Sequence, residues 1–103
     1  MGKFIRLEGA LERELSSLIP TLQDPRIPLV VTVERVKLSP DGRQARVLVS
    51  SLEAADQGGT GQADLLAALN GAAGRLQHEI AADLALKFTP RLRFFGDPLE
   101  VLG

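Results

Sequence analysis

The sequence predicts an α+β fold in which helices cover one face of a three-stranded sheet. Three observations support this prediction. Apolar residues recur at helical spacing near the N-terminus and again from residue 65 to residue 88. Two alternating segments flank a turn signature, Ser39–Gly42. A third alternating segment follows the second helical region, so the expected order is α-β-β-α-α-β.

The first helix is predicted from apolar residues spaced three and four positions apart. These residues are Phe4, Leu7, Leu11, Leu15 and Leu18. Pro20 ends the helix because proline lacks the amide proton that a helix interior needs, and Pro25 and Pro28 restrain the connector that follows. Glu8 and Glu12 are expected to be solvated helix charges.

The first strand contains a change of parity. Apolar residues occupy positions 29, 31 and 33 and then positions 36 and 38. Because a strand buries alternate residues, the change requires one extra residue, which predicts a β-bulge near Glu34–Arg35. After the Ser39–Gly42 turn, the second strand directs Ala45, Val47 and Val49 inward.

The remaining elements are less regular. Residues 53–62 are rich in glycine and predict a mobile surface loop. Gly71 and Gly74 interrupt the helical region Leu65–Phe88, and each costs about 1 kcal/mol relative to alanine. Either these small residues let another backbone approach closely, or the helix bends there. A third strand, Arg91–Phe95, follows with Leu92 and Phe94 inward.

Composition narrows the classes of function. The 103 residues predict one domain, residues 1–103, with a short tail at 97–103. The absence of cysteine excludes disulfides and thiolate metal sites. No apolar run is long enough to cross a bilayer, and the charged N-terminus is unlike a secretory signal. We therefore expect a cytoplasmic monomer that has no cofactor, no metal and no membrane partner.

Charge is segregated along the chain although the net charge is only −1. Residues 26–46 hold five basic and two acidic side chains, and residues 87–95 hold three basic and no acidic ones. Residues 47–86 hold one basic and five acidic side chains. This pattern can build a basic surface, although ordinary solvated charge gives the same composition.

Strand parity places one group of basic side chains on the sheet face opposite the helices. They are Arg35, Lys37, Arg46, Arg91 and Arg93. Such a face favours contact with phosphate. Only Phe95 offers an aromatic ring of the right parity, and tyrosine and tryptophan are absent, so stacking of bases on the sheet is not expected.

Four separated blocks resemble the ribosome-binding factor A family. In order, they are DPRI (Asp24–Ile27), VTVERVKLSPDGRQARVLVS (Val31–Ser50), ALNGAAGRL (Ala68–Leu76) and LKFTPRLRFFGD (Leu86–Asp97). The resemblance extends from about residue 3 to residue 97. It implies a type II KH-like fold, in which Ala72, Ala73 and Gly74 form the Ala-x-Gly kink that replaces the usual glycine loop between paired helices.

The resemblance also implies a function. Members of the family are not enzymes; they bind the free small (30S) ribosomal subunit and its 16S rRNA late in assembly. They assist maturation of the 5′ end of that rRNA and are important in cold adaptation. The leading hypothesis is therefore a non-catalytic, RNA-binding assembly factor. The alternative is a small protein-interaction or ligand-sensing α+β domain, whose functional face would be apolar.

The candidate RNA-binding residues are basic side chains from these segments. They are Arg26, Arg35, Lys37, Arg43, Arg46, Arg75, Lys87, Arg91 and Arg93. For Arg26, an ion pair with Asp24 is an equal alternative. Lys87, Arg91 and Arg93 have the alternative role of keeping the sheet face hydrated. The single histidine, His78, lacks partners for a metal site, and no serine has the base that a nucleophile requires.

Overall fold

The computed structural model describes residues 3–56 and 58–102. Its elements are α1 (Ile5–Leu18), a 3-10 turn (Ile19–Thr21), β1 (Thr32–Leu38), β2 (Gln44–Ser50), α2 (Leu52–Asp56), α3 (Gly58–Gly71), α4 (Ala73–Leu84), β3 (Arg91–Phe95) and α5 (Pro98–Leu102). The sheet order is β1-β2-β3, with β1 antiparallel and β3 parallel to β2. The predicted α+β class and three-stranded sheet are confirmed. No helix within the described ranges is long and apolar enough to cross a membrane.

The predicted β-bulge is present in β1. The register between β1 and β2 shifts between Val33 and Arg35, which leaves Glu34 as the extra residue. The hairpin also forms as expected, since the Gly42 N–H donates to the Ser39 carbonyl at 2.8 Å and Gly42 has a φ of 73°. The strand begins later than predicted: Leu29 precedes β1 and is 88% exposed.

The core lies between the sheet and the helices α1, α3 and α4. One sheet face, here called the inner face, contributes residues of all three strands. The buried cluster comprises Leu11, Leu15, Ile19, Val36, Leu38, Ala45, Val47, Val49, Ala54, Leu65, Leu69, Leu76, Ile80, Leu92 and Phe94. The inward residues predicted for β2 and β3 all belong to this cluster, so their parity is confirmed.

The predicted loop over residues 53–62 is wrong. The structure has α2 and the first part of α3 there, and Gln57 lies outside the described residues. Ala54 is 1% exposed and joins the core, and Gly61 is also buried. Packing of small residues between α2 and α3 stabilises a helix that glycine disfavours locally.

The expectation that helices cover only one sheet face is also wrong. The short helix α5 contacts all three strands, and the carbonyl of Glu100 accepts a hydrogen bond of 3.3 Å from Nη1 of Arg46. Arg46 points away from the core, so α5 lies on the opposite face, here called the outer face. Val101 and Leu48 are buried there, outside the main cluster. Burial of apolar side chains against the outer face explains why the C-terminal tail forms α5.

Side chains of the helices bond both edges of the sheet. On β1, Glu12 accepts from the Val36 N–H at 3.2 Å and Glu8 accepts from the Leu38 N–H at 2.7 Å. Glu8 and Glu12 are therefore not simply solvated charges, as the sequence suggested. Bonding of edge amides also removes sites for unwanted strand pairing.

The edge of β3 is bonded in the same way. Oδ1 of Asn70 accepts from the Phe94 N–H at 2.8 Å, and Nδ2 of Asn70 donates to the Phe94 carbonyl at 3.3 Å. Oε1 of Gln77 accepts from the Leu92 N–H at 2.9 Å. These bonds attach α3 and α4, on the two sides of their junction, to the same strand.

Candidate nucleic-acid interface

Three basic residues form one line across the outer face of the sheet. Lys37 of β1 pairs with Arg46 of β2, and Arg46 pairs with Arg93 of β3. All three are exposed. Directly paired residues on one sheet face have Cβ atoms about 4.5–5.5 Å apart in antiparallel pairs. We call Lys37, Arg46 and Arg93 the cationic row.

The other predicted cations of this face lie next to the cationic row. Arg35 pairs with Leu48, whose other partner is Phe95, and Arg91 pairs with Gln44. Arg35 and Arg91 are exposed. The structure therefore brings together the five basic residues that strand parity placed on the outer face.

No acidic side chain of the described residues forms an ion pair with the cationic row. The ion pair found in residues 3–56 and 58–102 joins Arg26 to Asp24. Arg46 donates to a backbone carbonyl, which is a neutral acceptor. Like charges directly opposite one another are unfavourable, so the row is a place where an anion would relieve repulsion.

The helix α5 limits how much of the outer face is open. Val101 lies in a groove with Lys37, Gln44 and Arg46, close to the hairpin. The outer face therefore differs from the fully open surface that the sequence predicted. The basic side chains of the outer face that remain exposed therefore lie around α5 and not on a bare sheet.

The hairpin end extends the basic surface. Arg43 and Arg91 line one groove together with Phe88 and Thr89, and the Arg91 N–H donates to the Arg43 carbonyl at 2.9 Å. Lys87 is exposed in the same turn before β3. Arg43 and Lys87 are thus close to the end of the sheet from which β2 and β3 both start.

Arg26 lies elsewhere and is paired. Its Nη2 atom is 2.8 Å from Oδ2 of Asp24, and its Nε atom donates to Oδ1 at 3.1 Å. The backbone N–H of Arg26 donates to the same Oδ1 at 2.9 Å. These bonds lower the pKa of Asp24 to about 2. Arg26 also shares a groove with Glu53 and Asp64, so its surroundings are acidic.

The helix interruption occurs where the sequence predicted it. The helix α3 ends at Gly71 and α4 begins at Ala73, while the Ala72 N–H is shared between the carbonyls of Ala68 (3.0 Å) and Leu69 (3.1 Å). No side chain caps the N-terminus of α4. Uncapped amides at a helix start are favourable neighbours for an anion.

The glycines at the junction are not packed against other parts of the described chain. A Cβ atom placed on Gly71 or Gly74 would meet nothing within 4 Å, and both residues are exposed. No other backbone of the described residues therefore approaches these two glycines. Arg75 is exposed in the first turn of α4 and belongs to the helical layer, so it lies apart from the outer face.

Metal chemistry has no support in the described part of the chain. No group of three or more histidine, cysteine or acidic residues there is able to hold a metal ion. His78 is exposed on α4.

Sequence reasoning missed three polar and aromatic positions. Asn70 and Gln77 bond the edge of β3, and their spacing of seven residues on one helical face was the available signal. Phe88 was not singled out because it lies outside the strands. Its isolated position between Lys87 and Thr89 gives no periodic signal.

The mixed sheet, the broken helix and the cationic row define a small α+β domain with exposed positive charge on one sheet face, a feature typical of nucleic-acid-binding proteins. Comparison with known proteins gives the family. The family model "Ribosome-binding factor A" matches residues 3–100. A ribosome-binding factor A from Acinetobacter baylyi is 38% identical over 102 residues, which cover 95% of this chain and 77% of the relative.

Solved structures agree with the sequence comparison. The crystal structure of ribosome-binding factor A from Thermus thermophilus has a TM-score of 0.74 and 35% identity, covering 93% of this chain and 97% of that chain. A Thermus thermophilus ribosome-binding factor A homology model, fitted into a cryo-EM map of a complex with 30S, has a TM-score of 0.67 and 34% identity, covering 90% and 93%. The chain belongs to the ribosome-binding factor A family.

Proposed function

We propose that this chain binds the free small (30S) ribosomal subunit through phosphates of its 16S rRNA and assists late maturation, including that of the 5′ end of the rRNA. The observation that supports this most directly is the cationic row, whose three side chains form no ion pair with an acidic residue of the described chain. The fit of a relative into a map of a 30S complex supports the same partner.

The proposal treats the domain as KH-like of type II, with Ala72, Ala73 and Gly74 as the kink between the paired helices. The end of α3 at Gly71 and the start of α4 at Ala73 support this assignment. Open space beside Gly71 and Gly74 leaves room for a nucleic-acid backbone to approach the helix junction. Arg75, one residue further along α4, would contact the same backbone.

The mechanism is stabilisation by occupancy. A bound factor favours the rRNA arrangement for which it has the higher affinity, and it leaves when maturation changes that arrangement. Phosphate contacts supply affinity and position without a chemical step, which agrees with a family of non-catalytic assembly factors. The factor would act as a monomer in the cytoplasm and would need no cofactor.

Sedimentation with purified small subunits tests the proposal. The double variant Lys37→Gln, Arg93→Gln removes two charges from the cationic row and leaves Arg46 bonded to α5. A matched double variant, Arg6→Gln with Arg13→Gln, removes two exposed charges from α1. We expect the row variant to lose most co-sedimentation and the α1 variant to keep it. Equal binding by the two variants would reject the role of the outer face.

One observation favours a second candidate, a protein-interaction domain. Val30 and Leu52 are 63% and 86% exposed and line one groove with Ala55. This apolar groove is at the end of the sheet away from the hairpin. If it were the main functional surface, Leu52→Asp would abolish binding to small subunits, and raising the salt concentration would have little effect.

A further inference from the structure

Phe88 is an exposed aromatic residue that lies outside the core cluster. Its side chain is 86% exposed, although phenylalanine is usually buried. The other phenylalanines differ: Phe94 is buried in the core, Phe4 packs against the core, and Phe95 is half-buried on β3. Since the sequence contains no tyrosine or tryptophan, Phe88 is the one strongly exposed benzene-type ring among the described residues.

The surroundings of Phe88 are basic. Arg43 and Arg91 line the same groove, and Lys87 precedes Phe88 in the chain. The one acid of this groove is Asp41, and its Oδ1 atom already accepts from the Ser39 hydroxyl at 2.6 Å and from the Arg43 N–H at 3.0 Å. Positive charge therefore dominates next to an open apolar ring.

The backbone on both sides of Phe88 is held in place. The helix α4 ends in a left-handed Ala85, with a φ of 52°, and the Leu86 N–H donates to the Ala81 carbonyl at 3.1 Å. Leu86 packs against the core, and Pro90 is buried. A ring presented from a restrained turn loses little conformational entropy when it binds.

We propose that Phe88 stacks on an unpaired nucleobase of single-stranded RNA, while Arg43 and Arg91 contact the adjacent phosphates. This inference rests on the proposed function and deepens it, because it assigns a base contact to an interface otherwise built from charge. Aromatic stacking requires a base that is free of its own stack, which loops and strand ends supply and duplexes do not. The Phe88 ring lies beside the outer face, because it shares a groove with Arg91. Arg91 and Arg93 alternate with buried Leu92 and both point to that face.

Fluorescence of a single introduced tryptophan tests the stacking. Phe88→Trp creates the only tryptophan of the chain. Leu52→Trp is the matched control, because Leu52 is also 86% exposed and lies at the opposite end of the sheet. On titration with a fluorescently silent, single-stranded oligoribonucleotide of about ten nucleotides, we expect quenching at position 88 and no quenching at position 52. Equal signals, in the presence of a complex shown by gel shift, would overturn the inference.

Affinity measurements complete the test. Phe88→Ala is expected to weaken binding of the oligoribonucleotide by about 5- to 150-fold, which corresponds to the usual stacking contribution of one base. Binding of an RNA duplex of equal length should change less than about twofold. Full rescue by Phe88→Leu would overturn the stacking and indicate an apolar protein contact. Failure of the wild-type protein to bind small subunits would reject the proposed function and this inference together.

Discussion

Replacement of Asn70 by alanine tests how the junction between α3 and α4 is held. Asn70 precedes Gly71, the last residue of α3, and makes two hydrogen bonds to Phe94. Alanine keeps the helix but removes both bonds. The N–H of Phe94 then has no partner at the edge of β3, in a place that is partly shielded from water.

The size of the effect follows from the two bonds. An unsatisfied, shielded N–H costs about 1–3 kcal/mol. The second bond is longer, at 3.3 Å, and adds less than about 1 kcal/mol. We therefore expect Asn70→Ala to lower the free energy of unfolding by about 2 kcal/mol, a large share of the roughly 5–15 kcal/mol typical of a domain.

Urea unfolding followed by far-ultraviolet circular dichroism measures this change. Gln77→Ala removes one hydrogen bond, which the Leu92 N–H donates to Oε1 of Gln77 at 2.9 Å. It should lower the free energy of unfolding by about 1 kcal/mol, half the effect of Asn70→Ala. His78→Ala changes an exposed residue of the same helix and should cost less than about 0.5 kcal/mol. An Asn70→Ala variant as stable as His78→Ala would refute the reasoning.

Three further predictions concern the Arg26 ion pair and two glycines, Gly74 and Gly42. Asp24 should titrate with a pKa of about 2, and Arg26→Gln should raise that pKa towards 3.8 in an NMR titration. Because the folded pKa is lowered, the pair stabilises the fold above the unfolded pKa of about 3.9, and this contribution is lost as the pH falls towards 2. Gly74→Ala should raise the free energy of unfolding by about 0.5–1 kcal/mol, because the added Cβ meets open space inside a helix. Gly42→Ala should lower it by about 1–2 kcal/mol, because φ is +73° and the Phe4 ring is 3.0 Å from the new Cβ.

A specific result would contradict each of these three predictions. An Asp24 pKa that does not respond to Arg26→Gln would mean that the ion pair is absent in solution. If Gly74→Ala lowered the free energy of unfolding, the backbone at the junction would need the conformational freedom of glycine, and open space for a Cβ would not be enough. A neutral Gly42→Ala would show that the hairpin tolerates a side chain at that position.

The strands were predictable because their signal is local. The parity change around Glu34 indicated the bulge, and alternation placed Val47 and Phe94 in the core. Both predictions depend only on the two-residue period of a strand and on the need to bury one face. The outward direction of Arg46 and Arg93 follows from the same rule.

The helical segments after β2 were not predictable in the same way. Local propensity at the glycines near residue 60 argues against a helix, yet Gly61 is buried and α2 packs on α3. The position of α5 on the outer face was also not predictable, because it depends on tertiary packing. Only the assembled sheet shows that Leu48 is buried on the outer face, where α5 packs.

The candidate site was predicted in part. Strand parity supplied the cationic row, whereas Arg26 and Arg75 were grouped with it by sequence pattern and lie in other parts of the molecule. The residues next to Phe88 in the sequence do not indicate a site. Its place in a basic groove depends on Arg43, which is 45 positions earlier in the chain. Contacts between distant segments are fixed by the tertiary fold and leave no local pattern.

The dependence of small-subunit affinity on salt tests the central claim, which is that phosphates contact the cationic row. The slope of log affinity against log salt, measured between about 50 and 200 mM, reports how many phosphate contacts form. Two lost contacts should reduce that slope by about 1.4–1.8 for Lys37→Gln with Arg93→Gln, and Arg6→Gln with Arg13→Gln should leave it unchanged. A slope near zero for the wild-type protein, or the same slope for the row variant, would contradict the account.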